Sequence, residues 1–249
     1  MRALAFLATA LVATAASAQA RPGVDARAAE LLRQMSDSLR SAQAFTVHAE
    51  IVYDEVLRSG RKLQFAGALD AALRRPDRLA IDYRSDVGGK QLWYDGKTFT
   101  LLDLVADVFA TEPAPPTTEA TLAQLQGEQG MSFPLADLVA EDPYTRLASG
   151  ALSGFLVGPG DVNGTACHHL AFVQDGLEWQ IWIDAGERPL PRKLVILYTG
   201  LPGAPQYAAT LSDWTFPKTL PEARFAPELP EEAHRVRFVA ARGAAEEKP

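Results

Sequence analysis

The chain offers a single cysteine, Cys167, among its 249 residues. One thiol cannot close an internal disulfide, so the fold must be held by its core even in an oxidising compartment. Cys167 sits in an apolar stretch, where a small buried hydrophobe is the expected role rather than a reactive thiol. Histidine is also scarce, at four residues. His168 and His169 adjoin Cys167, but neighbours along a strand point to opposite faces and do not converge on one ion. Only His48 and His234 remain to complete a four-ligand site. No metal and no cofactor are expected. The patterns Gly-x-Ser-x-Gly, His-Glu-x-x-His and Cys-x-x-Cys are absent from the sequence, which removes the commonest hydrolase, metalloprotease and thiol-redox readings. Ser59-Gly60-Arg61-Lys62 straddles a hairpin turn, whereas a Ser-x-x-Lys pair needs a helix to bring both side chains to one face. Gly158-Pro159-Gly160 with Gly164 has the wrong spacing for a dinucleotide loop and contains a proline. Asn163-Gly164-Thr165 is a formal glycosylation sequon, but an Asn-Gly turn between two strands explains it without a sugar. No enzymatic activity is expected.

Long apolar runs are also lacking. Residues 3–16 are apolar and follow Arg2, but the run falls short of the roughly 20 residues that span a bilayer. Ala16-Ser17-Ala18 and Ala18-Gln19-Ala20 are small-x-small sites, so residues 1–20 read as a secretory signal cleaved after Ala18 or Ala20. No cysteine stands directly after that run to accept a lipid anchor. A periplasmic protein without stable membrane insertion is expected, organised as one domain over residues 21–239. The tail at 240–249 has no apolar period and is expected to be disordered. Basic charge is in deficit: 24 Lys and Arg face 31 Asp and Glu, a net charge of −7. Cleavage removes only Arg2 and makes it −8. Such a balance argues against nucleic acid and anionic membrane as partners. A monomer is expected.

What is present is periodicity. Over residues 25–42, Ala28, Leu31, Leu32, Met35, Leu39 and Ala42 recur at helical steps, with charged residues between them. One apolar stripe implies a helix docked on a sheet face. From Phe45 the period becomes two. Val47, Ala49, Ile51 and Tyr53 alternate with Thr46, His48, Glu50 and Asp54, and similar runs follow through residue 111. Ser59-Gly60, Arg75-Pro76-Asp77, Gly88-Gly89, Asp95-Gly96 and the corner from Asp103 to Asp107 are the expected turns of an antiparallel meander. Three prolines in residues 113–116 end it. A helix is expected over residues 117–130, with Thr117 or Thr118 as N-cap and Gly127 or Gly130 near its end. Two shorter helices, each opened by a proline, are expected at 134–140 and 143–148. Strands resume at 151–157, 166–173, 177–184, 193–198 and 206–214.

The apolar strand residues are the candidate site. A curved meander makes a concavity; either the N-terminal helix and the helical insertion close on it and these residues form an ordinary core, or they do not close it fully and leave an apolar cavity. At roughly 25 cal/mol per Å² of apolar surface, such a cavity binds an acyl chain or apolar peptide usefully. The expected lining is Phe45, Val47, Ile51, Phe65, Leu69, Ile81, Leu170, Phe172, Trp179, Ile181 and Trp214.

Arg75-Pro76-Asp77-Arg78-Leu79 and Trp93-Tyr94-Asp95-Gly96-Lys97-Thr98, followed by long strands, resemble the LolA and LolB lipoprotein-carrier superfamily. Cys167-His168-His169-Leu170-Ala171-Phe172 and Trp179-Gln180-Ile181-Trp182 resemble, more closely, an uncharacterised family of predicted periplasmic proteins within it. The resemblance spans about residues 25–239. It implies a mainly β (α+β) fold: an incomplete, curved antiparallel β-barrel with an N-terminal helix and a mid-chain helical insertion as lid. It implies a soluble carrier for a lipid, an acylated protein or another amphiphile. The alternative is an envelope interaction or sensor module that recognises a partner protein and takes no small ligand.

Overall fold

Asp25 starts the first helix by accepting a hydrogen bond from the Arg27 amide at 2.9 Å, which satisfies one of the free N–H groups at the helix start. In the computed structural model, which describes residues 23–238, this helix is α1, Ala26–Arg40. The leader expected at residues 1–20 and the tail at 240–249 lie outside the described residues. The stripe read from the sequence is the buried face: Ala28, Leu31, Leu32, Met35 and Leu39 are all buried.

The alternating stretch that follows forms a meander of β1 (Ala44–Val56), β2 (Lys62–Arg74), β3 (Arg78–Ser85), β4 (Gly88–Tyr94), β5 (Thr98–Asp103) and β6 (Val108–Pro113). Helices α2 (Thr118–Gln129), α3 (Ala136–Val139) and α4 (Pro143–Ala148) interrupt the strands, which resume as β7 (Ala151–Val162), β8 (Thr165–Gln174), β9 (Leu177–Asp184), β10 (Pro191–Leu197) and β11 (Gln206–Thr215). A short β12 (His234–Arg235) is last. All twelve belong to one sheet in the order β12-β6-β5-β4-β3-β2-β1-β11-β10-β9-β8-β7. Among the described residues every strand-to-strand pairing is antiparallel except β12 on β6, and Val24 adds an isolated parallel bridge to Gly154 of β7. The two strand blocks are joined side by side at β1 and β11, where Tyr53 faces Tyr207 and Ala49 faces Leu211. The mainly β fold with an N-terminal helix and a mid-chain helical insertion is the one expected.

The period-2 pattern then sorts side chains between two faces. Phe45, Val47, Ala49 and Ile51 of β1 share the main core with Leu79 of β3, Leu92 of β4, Leu170 and Phe172 of β8, and Trp179 and Ile181 of β9. Helix α1 lies against β7, β9 and α4, so its stripe fills the concave side at the β7–β9 end. The other side carries a second, smaller cluster of Ala72, Ala80, Trp93, Leu102 and Phe225. Phe225 belongs to a single turn of 3-10 helix, Glu222–Phe225, which the sequence did not disclose. Glu222 pins this turn by accepting hydrogen bonds from Arg74 and from Arg78 Nε, the latter at 2.9 Å.

Three local expectations are corrected. The turn between β3 and β4 is Asp86-Val87, with Ser85 opposite Gly88, not Gly88-Gly89. Asp86 decides this, because its amide donates to Ala66 O at 3.0 Å and its carboxylate accepts from the Ala66 amide at 2.7 Å. β7 does not stop at Val157 but continues through Gly158-Pro159-Gly160, where its irregular register lets an edge strand tolerate proline. Pro134 does not open α3, whose single turn begins after Leu135.

Candidate functional site

The concave face of β1 to β5 and the adjoining part of β11 are not covered by α1. They are covered instead by the link between α2 and α3. Helix α2 is capped at Thr117, whose side chain accepts from the Ala120 amide at 3.2 Å. It ends at Gly130, whose φ of 64° is the left-handed conformation that favours glycine. That cap turns the chain back over the sheet, so Met131, Phe133, Leu135, Leu138 and Val139 face the strands. Between this segment and the sheet lies a cavity of about 750 Å³.

Its floor is Phe45, Val47 and Ile51 of β1, Leu69 and Ala71 of β2, Leu79 and Ile81 of β3, Leu92 of β4, Leu101 of β5 and Leu211 and Trp214 of β11. Trp214 is fixed by its indole N–H, which donates to Pro191 O at 3.2 Å, and packs on Phe45 with ring centroids 5.4 Å apart. Of the residues expected from the sequence, Phe45, Val47, Ile51, Leu69, Ile81 and Trp214 stand together here. Leu170, Phe172, Trp179 and Ile181 do not. They are fully packed in the core at the β8–β9 end, with Phe172 stacked on Trp179 at 4.1 Å. Phe65 lies farther along β2 against Tyr53, at 5.7 Å. All but Trp214 share the concave parity; Trp214 reaches that face through the bulge at Asp213, whose φ is 51°, and the docked α1 separates lining from core.

Polar groups are few in the lining, and they gather at one end. Tyr53, Tyr83, Tyr198 and Tyr207 stand there with Asp54, Lys90 and Gln206. The charged pair is neutralised locally: Asp54 lies 3.6 Å from Lys62 and accepts from the Gln206 amide at 3.2 Å, while Lys90 pairs with Asp103. Burial pushes the Tyr207 phenol well up, with smaller contributions from Tyr83 and Tyr198. Burial also raises Tyr198 and Tyr53, the latter lying beside Tyr83 and Ser85. Tyr53 and Tyr83 were legible from their parity with Ile51 and Ile81. Tyr198 lies one residue beyond β10 but keeps the parity of Leu194 and Ile196 in the strand expected at 193–198, whereas Met131 and Phe133 lie in a link without periodicity, so no sequence pattern marks those two.

The other constellations resolve simply. Cys167 is buried, its Sγ donates to Thr165 O at 3.3 Å, and burial pushes its thiol up. His169 stacks on Trp182 at 3.9 Å and bonds Gln180 at 2.9 Å. Among the described residues no group of three His, Cys, Asp or Glu side chains is placed to hold a metal. Lys62 donates to Ala204 O at 2.9 Å rather than serving Ser59. No helix among the described residues is long and apolar enough to cross a membrane.

The chain is similar in fold to several solved structures at low identity. An uncharacterized conserved protein from Thermus thermophilus is 11% identical with a TM-score of 0.49, covering 85% of this chain and 99% of its own. LprF from Mycobacterium bovis is 12% identical with a TM-score of 0.48, covering 79% and 97%. A putative outer membrane lipoprotein-sorting protein domain from Vibrio parahaemolyticus is 11% identical with a TM-score of 0.38, covering 79% and 97%. No functional assignment rests on these likenesses. No curated protein matches the chain. The family model described as "Predicted periplasmic protein (DUF2092)" matches residues 28–239, which include the Cys167–Phe172 and Trp179–Trp182 stretches. On that match, the chain belongs to the DUF2092 family of predicted periplasmic proteins.

Proposed function

We propose that the protein is a soluble periplasmic carrier or binding protein for an amphiphile, a lipid or an acylated protein, whose apolar part is buried between the sheet and the Gly130–Val139 link. The observation that carries this reading is the cavity of about 750 Å³ with an apolar floor. Protein interiors are packed to crystal-like density, so a cavity of this size is far beyond a packing defect. It falls within the roughly 300–1,000 Å³ range of ligand pockets. The covering link is a short turn of helix and loop rather than a long docked helix, and it serves as the lid. Export with cleavage after Ala18 or Ala20 belongs to the same proposal. Binding is preferred over catalysis because the two charged side chains of the lining are each held by a neighbour, Asp54 by Lys62 and Lys90 by Asp103.

The second reading, a protein-interaction module, draws on Leu152, Phe155 and Val157 of β7, which are at least half exposed at the sheet edge. The two readings separate in one experiment: native mass spectrometry with organic extraction of the mature protein purified from its own periplasm. A bound mass that extracts as lipid or acylated peptide is expected. A bare protein mass, from a chain that also ignores acyl probes, moves the assignment to the interaction module.

A further inference from the structure

The polar end of the cavity is chemically selective. Four of the six tyrosines of the chain, Tyr53, Tyr83, Tyr198 and Tyr207, line it. They converge from β1, β3, the loop after β10, and β11, with Tyr53 and Tyr207 directly opposite in the ladder. Among the described residues the Tyr198 and Tyr207 hydroxyls have no hydrogen-bond partner. Neither oxygen is sealed from the cavity, so each stands open to a ligand acceptor and gains a hydrogen bond when one arrives. Both phenols are driven towards their neutral, donating form by burial. The two charged side chains of the lining are already committed, Asp54 to Lys62 and Lys90 to Asp103. An anionic head placed among these phenols would lose its hydration without gaining a free cation, which is heavily penalised in a low-dielectric site.

We infer that the tyrosine cluster is the head-group subsite of the cavity and takes an uncharged ester or amide carbonyl, so that the cargo is a neutral acyl ester or an N-acylated peptide rather than an anionic phospholipid. This rests on the carrier reading above. Tyr198 and Tyr207 donate to the carbonyl oxygens, while the acyl chain runs towards Phe45 and Trp214.

The test is a binding titration of delipidated mature protein with four probes: dipalmitoylglycerol, an N-palmitoyl peptide amide of uncharged sequence, dipalmitoyl phosphatidate and hexadecane. The two carbonyl probes are expected to bind about ten-fold or more tighter than the phosphatidate. Their relative order tells the ester source from the amide source. The variants Tyr198→Phe and Tyr207→Phe remove one oxygen each. Each should weaken the carbonyl probes about 2- to 10-fold and leave hexadecane unchanged, which also shows that the variant is folded. Phosphatidate binding as tight as the neutral esters, or carbonyl binding indifferent to both variants, overturns the assignment while leaving the cavity a hydrocarbon site. If none of the four probes binds, the carrier reading falls and this one with it.

Discussion

The ring of Phe172 lies across Gly154 on the neighbouring strand, so that a Cβ added at Gly154 would come within 2.3 Å of Phe172 Cδ1. The same ring is stacked on its other neighbour, Trp179, at 4.1 Å and 10°. Phe172 is therefore held between two strands and has nowhere to retreat. Gly154→Ala should destabilise the protein by about 1–3 kcal/mol through overpacking, measured as a shift in the urea midpoint with an unchanged slope. A midpoint equal to wild type would mean that the ring is free to move, and that β7 is not clamped to β8 there.

Trp214 is the one tryptophan of the cavity lining; Trp179 is in the closed core, Trp182 is stacked on His169, and Trp93 belongs to the cluster on the other face. An acyl probe should therefore change the emission of Trp214 and of no other. In Trp214→Phe the titration response should vanish, while Trp93→Phe and Trp179→Phe should keep it. A response that survives in Trp214→Phe places the probe elsewhere.

Ala71 is buried on the cavity floor, opposite Val47 on β1 and Ile81 on β3. Ala71→Phe directs a ring into the space that an acyl chain would occupy, without having to displace a packed side chain there. Affinity for a palmitoyl probe should fall by at least about ten-fold, with the melting temperature unchanged or raised, since filling a cavity restores lost contacts. Undiminished affinity would remove the ligand from this cavity.

His48 on the convex face bonds Asp70 at 2.9 Å and Glu50 at 3.3 Å. The Asp70 hydrogen bond is the main reason its imidazole sits above the ordinary value of 6.5, against a smaller opposing effect of burial. The raised folded-state value makes this contribution to stability fully present below pH 6.5 and progressively lost as pH rises through the folded-state value. Wild type should lose stability relative to His48→Gln as the pH is taken from about 5.5 to 8.5, read from paired urea titrations. A difference that stays flat across that range would show that the pair makes no pH-dependent contribution.

Phe225 closes the cluster with Trp93 and Leu102, and Glu222 beside it is held by Arg74 and Arg78. Phe225→Ala should cost about 3–5 kcal/mol and shift Trp93 emission to the red, while leaving acyl binding on the other face intact. A loss of binding that exceeds the loss of folded protein would couple the two faces.

Much of this architecture was legible because its signals are local. The period-2 runs from Phe45 and the helical stripe from Ala28 to Leu39 depend on residues a few positions apart and formed where they were read, and of the cap candidates Thr117 or Thr118 and Gly127 or Gly130 the helix uses Thr117 and Gly130. The Asp86-Val87 turn was misread because Gly88-Gly89 is the stronger local turn signal, whereas a bond from Asp86 to Ala66, 20 positions away, decides the register. The 3-10 turn at Phe225 had no periodicity to betray it.

The sequence by itself determined the strands from β1 to β11, most of their inward and outward faces and the helical interruption between the two strand blocks, because alternation and turn chemistry are set by neighbours in the chain; the two-residue β12 was not read. Only the tertiary structure decided that β1 pairs with β11 to make one sheet, and that α1 docks at the β7–β9 end. That docking is why Leu170, Phe172, Trp179 and Ile181 pack beneath the helix end while Phe45, Val47 and Ile51, of the same parity and chemistry, were left to line a cavity, where Trp214 joins them through the bulge at Asp213. Period-2 patterning tells which face of a sheet is apolar. What covers that face is a matter of long-range packing, which no local spacing records.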